Sequence, residues 1–132
     1  MIIKNFMNNK LAIIGAGGHG KVVGEIAFLN NYKFIDFFDD KVKKIKEFPF
    51  NVIDTLDYLK EHLDNYDAFF VAIGDNQIRS ENIEWLKKNK RNIVSLVHPK
   101  STISKFSSLE IGTCVMANAV INAGSKLKKE LL

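Results

Sequence analysis

Leu11-Ala12-Ile13-Ile14-Gly15-Ala16-Gly17-Gly18-His19-Gly20-Lys21-Val22-Val23 decides the fold. Four consecutive apolar residues suit a buried strand, the glycines directly after them stop it, and Val22, Val23, Ile26, Ala27 and Leu29 then recur at helical spacing. The reading is strand, tight turn, helix. Gly15, Gly17 and Gly20 fit G-x-G-x-x-G in that context, where glycine lets the backbone N–H groups approach a diphosphate at the positive end of a helix. The same glycines also serve a plain tight turn, since glycine adopts either sign of φ without steric cost. A P-loop is disfavoured, because Val22 follows Lys21 where a magnesium-binding hydroxyl residue belongs.

Working outward, Phe34-Ile35-Asp36-Phe37-Phe38 reads as a second strand ending at Asp39-Asp40, which completes a βαβ unit of about thirty residues. A polar stretch containing Pro49 leads to a helix near residues 55–62, announced by capping residues at Asp54 and Thr55. Ala68–Ile73 is a buried strand stopped by Gly74, and Asp75 or Asn76 caps a helix running through Ile78, Ile83, Trp85 and Leu86 to Lys87-Lys88. Ile93-Val94-Ser95-Leu96-Val97 supplies a fourth strand, and His98-Pro99 closes the domain. Alternating strands and helices imply a small Rossmann-like α/β domain whose parallel sheet is covered on both faces.

Beyond Pro99 the periodicity changes. Aliphatic residues recur every six positions at Val97, Ile103, Leu109, Val115, Ile121 and Leu127, and small residues do so at Ser101, Ser107, Thr113, Ala119 and Ser125. Neither helix nor ordinary strand gives this double lattice, whereas a parallel β-helix of hexapeptide repeats does, three hexapeptides to a turn. Residues 99–132 make fewer than two turns of such a coil, with an open edge that needs further repeats or a partner to cover it.

The candidate ligand contacts collect where the strands end. Asp39 and Asp40 stand about twenty residues past the glycine turn, where a dinucleotide fold places a carboxylate for ribose hydroxyls, and they suit a uridine equally. His19 lies inside the turn, either pointing into the site or filling surface space. Gly74, Asn76 and Arg79 follow the third strand at the same sheet edge, with capping or solvation as their plainer roles. His62 reads as a solvated helix residue and His98 as part of the domain junction, and no metal-ligand spacing links the three histidines.

Composition narrows the class. With 132 residues, 46% hydrophobic and 26% charged, the chain suits one domain with an appendage. The net charge of +4 is mild, and its lysines are dispersed through Lys41–Lys46, Lys87–Arg91 and Lys126–Lys129 without interleaved aromatics, so nucleic acid is not the expected partner. Cys114 is the only cysteine, which excludes an internal disulfide. Met1-Ile2-Ile3-Lys4-Asn5-Phe6-Met7 has neither the apolar core nor the cleavage site of a leader, and no membrane-spanning run follows, so a cytoplasmic setting is expected.

Taken in order, Ala12–Lys21, Phe38-Asp39-Asp40, Ala72-Ile73-Gly74-Asp75-Asn76 with Arg79, Val97-His98-Pro99 and the hexapeptide run resemble the bacterial sugar acetyltransferases of the bacillosamine and sialic-acid type. This is the PglD/NeuD family of hexapeptide-repeat acyltransferases. The resemblance implies a domain over residues 1–98 that holds a UDP-linked 4-amino sugar, followed over 99–132 by the start of a left-handed β-helix. In the family that β-helix forms a trimer, binds acetyl-CoA between subunits and carries a histidine base for acetyl transfer to the sugar, on nitrogen or oxygen.

By similarity the sugar-nucleotide contacts fall on Gly15, Gly17, Gly18, His19, Gly20, Asp39 and Asp40, with Gly74, Asn76 and Arg79 in second rank. The family pattern runs on past Ile121–Ser125 into coils bearing the base, whereas here Lys128-Lys129-Glu130-Leu131-Leu132 end the sequence and no histidine follows His98. The expectation is a truncated member that keeps the substrate domain, has an incomplete acetyl-CoA site and no catalytic residue, and does not transfer acetyl by itself. Two rivals use the same turn. One is an NAD-dependent oxidoreductase, which lacks strands for a second mononucleotide half and a hydride-transfer site; the other is a non-catalytic nucleotide-sugar-binding or assembly module.

Overall fold

A strand made of Leu11, Ala12, Ile13 and Ile14 has no polar face to offer water, so it must lie in the middle of a sheet with cover on both sides. A computed structural model shows this arrangement; it describes residues 9–127, so the opening segment 1–7 and the terminal residues 128–132 considered above lie outside it. β1 (Lys10–Ile14) pairs in parallel with β2 (Phe34–Phe38) on one side and with β4 (Ala68–Val71) on the other. β3 (Val52–Asp54) adds to β2 across a register shift at Phe37/Phe38, giving the order β3-β2-β1-β4.

Alternate side chains of β1 feed two cores. Leu11 and Ile13 pack with Phe37, Phe70 and the buried stripe Val23, Ile26 and Ala27 of α1 (Gly20–Leu29). Ala12 and Ile14 face the opposite way, onto Leu59 of α2 (Leu56–Lys60) and Ile83 and Leu86 of α3 (Asn76–Lys88). Thr55 caps α2 by accepting from the Tyr58 N–H, and Asp75, rather than Asn76, caps α3 by accepting from the Ile78 N–H. Among the described residues no helix is long and apolar enough to cross a membrane.

The stretch 93–97 does not form a fourth sheet strand. Ile93 makes a lone bridge to Phe69, and β5 (Leu96–Val97) pairs instead with β8 (Cys114–Val115) as the first strand of the coil. The reason lies in Ser95, whose Oγ donates to the Glu110 carbonyl and accepts from the Thr113 N–H, so the chain has already turned into the coil at that residue. The sheet's fourth strand is β3, within the stretch read as polar.

The β-helix follows the sixfold lattice. β6 (Thr102–Ile103) pairs with β9 (Val120–Ile121) and β7 (Ser108–Leu109) with β10 (Lys126–Leu127), each strand lying on the one three hexapeptides later. Val115 and Ile121 are buried as inward residues. At three successive corners the small residue closes the bend: the hydroxyls of Ser101, Ser107 and Thr113 donate to the carbonyls of His98, Ser104 and Glu110 at 2.7, 2.6 and 2.8 Å. The later corners need a left-handed residue, supplied by Gly112, Asn118 and Gly124 at φ 80°, 65° and 83°.

Candidate functional site

The strand order places a switch point between β1 and β4. From β1 the chain moves through α1 to β2 and on to β3, then crosses back to β4 on the far side of β1. The loops leaving β1 and β4 therefore run to opposite faces of the sheet and leave a crevice between them, the usual ligand position in open α/β sheets. One wall is the turn Gly15–Gly20, the other the loop 72–76.

At the floor of this crevice the two loops touch. Gly15 adopts φ 102°, and a Cβ there would stand 2.7 Å from the Ala72 carbonyl oxygen, so no other residue fits. Its N–H donates to the Phe38 carbonyl at 2.8 Å. Above the floor the situation reverses. A Cβ on Gly17, Gly18 or Gly74 would meet nothing within 4 Å, and all three residues are exposed. Among the described residues the N–H groups of Gly17, Gly18 and His19 donate to no protein acceptor. They stand at the start of α1, whose first turn carries no acidic residue to neutralise the helix dipole. Gly20 closes the turn through its N–H to the Gly17 carbonyl and lets Ile45 Cδ1 within 3.3 Å of its Cβ position.

The remaining expected residues divide between surface and scaffold. His19 is exposed at the N-cap of α1, and its ring makes no capping bond. Asp39 is spent on backbone: Oδ2 accepts from the Ala16 N–H, and Oδ1 from the Lys41 and Val42 N–H groups, each at 2.8 Å. Partial burial pushes its carboxyl upward, but those three bonds and the Lys41 charge outweigh burial and hold it below its ordinary value. Asp40 is exposed, with Oδ1 accepting from the Leu56 N–H at the start of α2.

Arg79 is only 8% exposed and faces inward, donating to the Ile73 carbonyl and to Asn76 Oδ1. It fixes the shape of the loop holding Gly74. His62 stacks on Tyr58, and His98 Nδ1 accepts from the Lys100 N–H, so both keep to their own segments. No cluster of metal-ligating residues occurs among the described residues.

Beside the turn lies a hollow of about 280 Å³ lined by Asp39, Lys43, Val52, Ile53, Asp54 and Thr55. Sequence reading missed this wall because β3, which builds it, has only three residues. The register of Val52-Ile53-Asp54 against the end of β2 is set by tertiary pairing, and the one local signal was the Asp54-Thr55 capping pair.

Residues 10–86, more than half of the chain, match the family model for the PglD N-terminal domain. The chain belongs to the PglD N-terminal domain family. A curated relative from Bacillus subtilis (strain 168), UDP-N-acetylbacillosamine N-acetyltransferase, is 32% identical over 111 residues, covering 81% of this chain and 51% of its own length. The acetyltransferase domain of PglB from Neisseria gonorrhoeae FA1090, solved in complex with acetyl coenzyme A, superposes with a TM-score of 0.84 at 40% identity. That match covers 94% of this chain and 61% of the other.

A mutant of perosamine N-acetyltransferase from Caulobacter crescentus, in complex with CoA and GDP-perosamine, matches with a TM-score of 0.77 at 30% identity, over 92% of this chain and 59% of that one. The chain thus spans about half the length of the curated relative it matches. These PglD-type relatives share its architecture, an α/β sheet domain leading into a parallel β-helix.

Proposed function

We propose that this PglD-type chain binds a UDP-linked 4-amino sugar, with the diphosphate over the Gly15–Gly20 turn, and serves as the sugar-nucleotide domain of an acetyl-CoA-dependent sugar N-acetyltransferase. The observation that carries the reading is the set of three exposed glycines, Gly17, Gly18 and Gly74, on the two loops that border the switch point, with open space where side chains would stand. Nothing among the described residues requires glycine at those positions, whereas close approach of a diphosphate to the backbone does.

The hollow beside Asp39 adjoins the turn, and its exposed apolar Ile53 and acceptor Asp54 suit one face and one edge of a nucleoside. His19 and Asn76 then border the sugar. The chain's own residues bind and orient. Acetyl-CoA enters through the relatives, and its chemistry is to supply the acetyl group. A cytoplasmic setting fits a substrate of this kind.

An NAD-dependent oxidoreductase fits less well. The described sheet has four strands, in the order β3-β2-β1-β4, and leads straight into the coil, which leaves too few for the second mononucleotide half of a dinucleotide fold. Amide shift mapping tests the reading: a UDP-4-amino sugar should move Gly17, Gly18 and Gly74 first, and shifts confined to the surface around Phe28 or Trp85 would refute it.

A further inference from the structure

Asp39 stands out because its carboxylate and backbone together join three segments. Oδ2 reaches the turn after β1 at Ala16, Oδ1 holds the loop after β2 at Lys41 and Val42, and its own backbone N–H donates to the Asp54 carbonyl at the end of β3. A carboxylate offers about four acceptor sites, and three are filled by backbone donors.

We propose that Asp39 is a positioning residue that presets the phosphate-binding turn through Ala16 rather than a direct contact to the nucleoside. This rests on the sugar-nucleotide reading above. The Ala16 N–H sits between Gly15, pinned against Ala72, and Gly17, whose N–H donates to no protein acceptor among the described residues. Fixing Ala16 therefore fixes the direction of the next two N–H groups before any ligand arrives, which removes an ordering cost from binding. Charge assistance makes the Asp39 bond stronger than a neutral one.

The substitution Asp39→Asn isolates this bond. A carboxamide of nearly the same size has one oxygen; if that oxygen serves Lys41 and Val42, an NH₂ group meets the Ala16 N–H donor to donor. Calorimetry with UDP and with uridine on the full chain separates the roles. Asp39→Asn is expected to weaken UDP about tenfold while changing uridine less than about twofold, because only the phosphate limb depends on the turn.

Equal loss of uridine and UDP in a folded Asp39→Asn chain would make Asp39 a direct contact and overturn the proposal, as would unchanged UDP affinity. Hydrogen exchange on the unsubstituted chain tests the same point without a variant. The Ala16 amide is expected to stay protected when UDP binds, and loss of its protection would show the carboxylate leaving the turn for the ligand. Failure of the unsubstituted chain to bind either probe would count instead against the sugar-nucleotide reading.

Discussion

Asn30 holds Val97 at both ends: its Nδ2 donates to the Val97 carbonyl at 2.7 Å and its Oδ1 accepts from the Val97 N–H at 3.0 Å. Asn30 is the residue that ends α1, and Val97 belongs to the first strand of the β-helix. The side-chain amide thus acts as a one-residue strand, and with Leu96 and Cys114 buried in the α1-side core it joins the sheet domain to the coil.

Asn30→Asp keeps the acceptor and removes the donor, leaving the Val97 carbonyl facing a carboxylate. A loss of about 1–3 kcal/mol is expected from urea denaturation. Hydrogen exchange should show the cost falling first on β5 and β8, with β1 amides least affected.

The glycines of the turn separate stability from binding. Gly15→Ala combines a positive φ with a 2.7 Å clash against the Ala72 carbonyl and is expected to cost about 2 kcal/mol or more. Gly17→Ala and Gly18→Ala meet open space, so their melting temperatures should stay near that of the parent while sugar-nucleotide binding falls. Equal destabilisation of all three variants would contradict the division drawn between floor and cradle.

Asp39 gives the acid limb of stability a defined sign. Its carboxyl lies below its ordinary value in the folded chain. Its contribution is therefore fully present above the unfolded-state value and is lost as pH falls through the folded one. Urea midpoints measured from about pH 6 down to about pH 2.5 should decline less steeply for Asp39→Asn than for the parent.

Cys114 is fully buried in the α1-side core, and burial pushes its thiol up to about 11. Thiolate is the reactive form, so at pH 8 the native thiol should react with a disulfide reagent only at the rate of local opening and promptly after denaturation. Rapid reaction of the native chain would mean that the junction between sheet and coil opens readily.

Much of this was legible because the signals are local or periodic. The buried strand, its glycine turn and the following helix announce themselves within thirteen residues, and the coil follows from a period that only one architecture satisfies. Ser95 lies on the same sixfold register as Ser101, so the coil's true start was readable from the lattice even though Val94 to Val97 also looks like a sheet strand. What escaped depends on distant partners. β3 is too short to show alternation, and Gly24 reads as an ordinary helix glycine until Phe48 is seen 2.6 Å from its Cβ position. The candidate site divides along the same line: the glycine turn is visible by spacing, whereas the scaffold roles of Asp39 and Arg79 are set by carbonyls and amides that only folding brings to them.

Isothermal titration of the chain with a UDP-4-amino sugar, with NAD as competitor, tests the central claim most directly. Saturable one-site binding of the sugar nucleotide, undisturbed by NAD and lost in the Gly17→Ala, Gly18→Ala double variant, is the expected result. Preference for NAD, or sugar-nucleotide binding that survives both substitutions, would contradict the account of the glycine turn as the diphosphate cradle.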